Sequence, residues 1–98
     1  MPWFIKHETF QQPHAAMLPH LAAHRAWVAG LRERGVRISS GYLVDGQGQP
    51  GGGGLLLLEA EDYARAEALM HDDPMVRSGA VDWTLHQWIG AVGDLEVG

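Results

Sequence analysis

Along the first ten residues bulky and polar side chains alternate. Trp3, Ile5 and His7 fall on one face of an extended chain and Phe4, Lys6 and Glu8 on the other, with Pro13 closing the segment. This predicts a strand over Trp3–Phe10. The period then lengthens. From about His14 to Arg34 the chain is alanine-rich, and Met17, Leu21, Val28 and Leu31 recur at spacings of 4, 7 and 3, on one side of a 3.6-residue repeat. That predicts a long helix. Gly35 stops it as a left-handed C-terminal cap, and Val36, Ile38, Ser40, Tyr42 and Val44 resume a period of two as a second strand.

Six of the thirteen glycines lie between Gly46 and Gly54, with Pro50 among them, which predicts a mobile, lid-like hairpin loop over 46–54. The run Gly51 to Gly54 precedes a strand rather than a helix and lacks a P-loop lysine, so it is no phosphate cradle. Leu55 to Leu58 is uniformly apolar, as in a strand covered on both faces, although a buried helical piece has the same pattern. Glu61 and Asp62 suit a helix N-terminus. Tyr63, Ala66 and Met70 mark the inner face of that helix, which must end near Asp73 because Pro74 disfavours helical geometry in the residue before it. Val81, Trp83, Leu85 and Ile89 alternate with Asp82, Thr84, His86 and Trp88, a fourth strand running toward the Gly93–Gly98 tail. The order β-α-β-β-α-β is that of an α+β, ferredoxin-like split βαβ sandwich with both helices on one face of an antiparallel sheet. Its other face, rich in Trp, Ile and Leu, is left bare, and a homodimer packing sheet against sheet would cover it.

Composition narrows the classes. Ninety-eight residues with 46% hydrophobic and 19% charged content make one globular domain spanning residues 1–98, and a mean hydropathy of -0.14 shows no disorder-like polar excess. No apolar run approaches the roughly 20 residues a membrane helix needs. Met1-Pro2-Trp3 does not begin a basic segment followed by an apolar one, so a cytoplasmic protein is expected. The absence of cysteine removes disulfides, thiolate nucleophiles and Cys-ligated metals. A net charge of -5 matches a phosphate backbone poorly, and Arg25, Arg32, Arg34 and Arg37 read as the solvated face of the first helix. Nucleic acid is not an expected partner.

One residue breaks the helical stripe: His24 lies on the same side as Met17, Leu21, Val28 and Leu31. It is either a core histidine bonded to a carbonyl or, beside a carboxylate, a proton-transfer group, since imidazole titrates closest to neutral pH. Asp73 followed by Pro74 has the form of a helix N-cap and first residue. His20 and His24, spaced i and i+4, can offer two ligands from one helix face, with His71 or Asp73 as a third, but the set is sparse and no functional metal or other cofactor is expected. Trp27, Trp83 and Trp88 either wall a planar ligand or pack.

Two segments carry a resemblance. HRAWVAGLRERG from His24 to Gly35, followed by a strand containing Gly41, and DPMVRSG from Asp73 to Gly79, followed by Val81-Asp82-Trp83 and Trp88, resemble the YciI (YCII-related) family. The likeness runs from Trp3 to about Trp88. Where the family often has proline after the strand-two glycine, this chain has Tyr42. The resemblance implies a dimeric α/β barrel in which His24 and Asp73 form the catalytic pair. His20, Gly41 and Tyr42 are the candidate substrate-binding residues. A member type eliminates chloride from a chlorinated hydroxyquinol, and related barrels include muconolactone isomerases. The implied function is therefore a cofactor-free lyase or isomerase moving protons on a small cyclic or aromatic substrate. The alternative is a non-enzymatic small-ligand-binding or accessory dimer module of the same fold.

Overall fold

The computed structural model describes residues 1–95. The chain runs β1 (Trp3–Phe10), α1 (His14–Glu33), β2 (Ile38–Val44), β3 (Pro50–Glu59), α2 (Tyr63–Asp72), α3 (Pro74–Arg77) and β4 (Val81–Trp88). The strands form one sheet in the order β2-β3-β1-β4, and every neighbouring pair is antiparallel. Two βαβ units thus interleave, as expected for the ferredoxin-like fold. Gly35, at φ +86°, ends α1. Asp62 caps α2 by accepting from the Arg65 N–H at 2.8 Å.

The glycine-rich segment departs from expectation. The loop is only the turn Asp45–Gln49, held by the Asp45 carboxylate, which accepts from the N–H groups of Gln47 at 2.8 Å and Gln49 at 3.0 Å. β3 begins at Pro50, and Gly53 and Gly54 pair with Thr9 and Glu8 of β1. A Cβ on Gly53, whose φ is +156°, would collide with the Glu8 carbonyl, and one on Gly54 would stand 2.9 Å from the Gly41 carbonyl oxygen. These glycines permit close strand approach, so a lid over 46–54 is not what the residues build.

Leu56 and Leu58 are fully buried beneath the helices, whereas Leu55 and Leu57 are only half-buried on the opposite face, beside Trp3, Ile5 and Trp88. The expected cover on both faces is therefore missing in the single chain. Tyr63, expected to face inward, is 45% exposed; its ring edge meets Phe4 at a 6.1 Å centroid distance, and its hydroxyl donates to the Leu85 carbonyl at 3.3 Å. β4 ends at Trp88, and the remainder of its expected extension is irregular as far as Leu95 and then lies outside the described residues.

The core is divided. One apolar cluster gathers Phe4, Leu31, Ile38, Leu56, Leu58 and Met70, among others, and a second gathers Met17, Met75, Ala80 and Val81. The buried positions of α1 are Met17, His24 and Leu31, so the histidine sits midway between the two clusters. On β1 the inward row is Phe4, Lys6, Glu8 and the half-buried Phe10. A polar seam of Lys6, Glu8, His24 and Asp73 therefore crosses the middle of the core.

Candidate functional site

Asp73 is the hub of that seam. Pro74 forces the chain out of helical geometry, and Asp73 takes φ -64°, ψ 124°, between α2 and α3. Its Oδ1 caps α3 by accepting from the Met75 N–H at 2.9 Å, and the same oxygen lies 2.7 Å from His24 Nδ1. Oδ2 accepts from Lys6 Nζ at 2.6 Å. The ammonium has a second carboxylate partner, Glu8 Oε1, also at 2.6 Å. Lys6 is 1% exposed and Asp73 fully buried, so these contacts are made away from water.

Burial raises the proton affinity of the Asp73 carboxyl, but the His24 hydrogen bond, the charges of Lys6 and His24 and the Lys6 hydrogen bond together outweigh it, holding Asp73 below the ordinary carboxylate range. At neutral pH it is a carboxylate, and a carboxylate only accepts. The tautomer follows. His24 Nδ1 must carry the proton that points at Asp73, so in the ring's neutral form the lone pair lies on Nε2, on the other side. There Nε2 meets Ser40 Oγ at 2.7 Å.

Nε2 faces a cleft of about 310 Å³ between α1 and the β2–β3 end of the sheet. Phe10, Leu21 and Val28 form its apolar wall, and Gly53 and Gly54 its floor. Gly41 and Tyr42 line it beside Ser40. His20 does not line it; one turn before His24 on α1, it lies outside this cleft. Both nitrogens of His24 are engaged by Asp73 and Ser40 rather than shared with His20 as a ligand pair. Among the described residues, no three His, Asp or Glu side chains gather as a metal-binding group.

The tryptophans do not make one wall. Trp27 lies 5.8 Å from the His24 ring, Trp83 stands edge-on to His71 at 5.4 Å, and Trp88 pairs with Trp3 on the outer sheet face. None of the three lines the cleft.

Lys6, Glu8 and Ser40 are site residues that motif reasoning missed. The period of β1 puts Lys6 and Glu8 on the face of Phe4, but Trp3 and Ile5 make the opposite face the more apolar in sequence, and only the fold shows that the Phe4 face is the buried one. Two charges on a core-facing row require partners. Ser40 gave no such signal.

The YCII-related domain profile matches residues 1–88 of the chain. No curated protein matches it significantly. Among solved structures, 5-chloro-2-hydroxyhydroquinone dehydrochlorinase (TftG) of Burkholderia phenoliruptrix AC1100, in complex with 2,5-dihydroxybenzoquinone, is similar in fold. It superposes with a TM-score of 0.73 at 21% identity, over 91% of this chain and 95% of that one.

Proposed function

The chain belongs to the YCII-related family, and we propose that it is a cofactor-free lyase or isomerase in which His24 moves a proton on a small cyclic or aromatic substrate. The observation that carries this reading is the orientation of one imidazole. Buried Asp73 fixes its Nδ1–H, and Nε2 is presented to an apolar-walled cleft. A carboxylate on Nδ1 strengthens Nε2 as a base and stabilises the imidazolium formed once it has accepted a proton. Lys6 keeps Asp73 ionised throughout. Gly41 and Tyr42 contact the substrate, and Ser40 yields its place at Nε2 to a substrate hydroxyl. The chemistry of the similar fold, a dehydrochlorinase acting on a ring with adjacent hydroxyls, is of this kind. Removing a proton from oxygen and delivering one to a ring carbon needs a single base that works in both directions.

The test uses hydroxyhydroquinone under anaerobic conditions in D2O. Proton NMR should show ring hydrogens exchanging faster with the protein than without it, and His24→Asn should lower the catalysed rate by a factor on the order of 10². Undiminished exchange in His24→Asn, or no acceleration by the wild-type protein, would overturn the proposal and leave a ligand-binding module.

A further inference from the structure

The cleft has a charge character that the His–Asp pair does not explain. Its lining includes two guanidinium side chains, Arg25 and Arg32, and not one carboxylate, in a chain whose net charge is -5. The two arginines are seven residues apart on α1, which puts them on the same face about 10 Å apart along the axis. Among the described residues neither has a carboxylate within ion-pair distance, whereas the nearby Arg37 is paired with Glu59 and lies over the Trp3 ring at 5.2 Å. Among the described residues, acidic side chains are thus absent from the lining of the cleft into which His24 Nε2 faces.

We propose that the cleft takes a single-ring carboxylate, with the ring against Phe10, Leu21 and Val28, the carboxylate toward Arg25 and Arg32, and the reacting edge at His24 Nε2. This deepens the proton-transfer reading and rests on it for the role of His24 alone. Guanidinium groups match carboxylates through paired N–H donors, and a cleft with a low-dielectric wall strengthens that attraction over open surface. The volume of about 310 Å³ is at the small end of ligand pockets, in keeping with one ring and its substituents rather than a dinucleotide.

Binding separates this proposal from turnover. The probes are 2,5-dihydroxybenzoate and its uncharged amide, titrated calorimetrically into the wild-type protein, Arg25→Gln, Arg32→Gln, the double variant and His24→Asn. The carboxylate should bind the wild-type protein roughly three- to tenfold more tightly than the amide, as expected of two partly exposed ion pairs. The double variant should lose that preference while binding the amide as before, and added salt should weaken only the carboxylate. His24→Asn should keep the preference, so failure of proton transfer and failure of this proposal give different results. Equal binding of the two probes, a preference that survives in the double variant, or no binding of either at millimolar concentration would overturn it.

Discussion

Replacing Lys6 by methionine tests the seam at its centre. The substitution keeps an unbranched stem of similar length and removes only the ammonium, so packing changes little and charge changes by one. What remains is Asp73, fully buried, and Glu8, 5% exposed, both stripped of the cation that sits 2.6 Å from each. Removing one partner of a buried ion pair costs about 3–5 kcal/mol, because the stranded charge keeps its desolvation penalty. For a domain of this size each kcal/mol lowers Tm by about 4–8 °C, so a fall of roughly 12–40 °C is expected.

The pH dependence gives a second signature. Asp73 is held below its ordinary value of 3.8 in the folded protein. Its contribution is therefore complete above that value and is lost as pH falls toward the lower folded one. The gap between wild type and Lys6→Met should accordingly be widest near neutrality and shrink as pH drops through the carboxylate range. Adding Glu8→Gln to Lys6→Met removes one stranded charge and should recover part of the loss. Urea denaturation followed by circular dichroism at pH 7 and pH 3 measures all three effects. A loss under about 1 kcal/mol at pH 7, or a gap that does not narrow in acid, would refute the reasoning.

The strand reading of the glycine run predicts opposite outcomes at two adjacent positions of β3. Gly53→Ala should cost about 2–4 kcal/mol in chemical denaturation, since its φ is +156° and a methyl meets the Glu8 carbonyl. Gly52→Ala, with nothing within 4 Å, should be neutral or stabilising by up to about 1 kcal/mol. Light scattering at micromolar concentration should return twice the 10.7 kDa chain mass, because Trp3, Ile5, Leu55, Leu57 and Trp88 leave an apolar sheet face that the helices do not reach. Exchange activity should survive EDTA, because His24 spends both nitrogens on Asp73 and Ser40; loss with EDTA and rescue by zinc would contradict that.

The element order was legible because each switch of period is punctuated: Pro13 before α1, Gly35 after it, and Pro74 between α2 and α3. His24 was legible for a related reason, as a polar group on an apolar stripe, whereas Asp73 by itself had the form of a cap and its pairing with His24 came from the resemblance to the YCII-related family. The β3 boundary was not legible. Glycine density has two opposite physical causes, loose chain and close backbone approach, and only the partner strand decides between them. Gly53 and Gly54 are fixed by Glu8 and Gly41, residues some 45 and 13 positions away along the chain. Ser40 was hidden for the same reason, since its value comes from standing 2.7 Å from a ring on another element.

Lys6 and Glu8 differ, because period two alone assigned them to one face with Phe4, and the fold shows that face to be the buried one. A lysine and a glutamate on a core-facing row need partners. On α1 the buried positions Met17, His24 and Leu31 set the same requirement, and the partners converge on one place, the gap between the two apolar clusters. A small domain has little core to spare, and replacing a fully paired polar cluster by apolar side chains of similar volume is often neutral or stabilising. Stability alone therefore gives no reason for four polar side chains to occupy the middle of this core. The proposed proton transfer supplies one: Lys6 balances the charge of ionised Asp73, Asp73 dictates which nitrogen of His24 carries the proton, and the lone pair that results is aimed at the cleft.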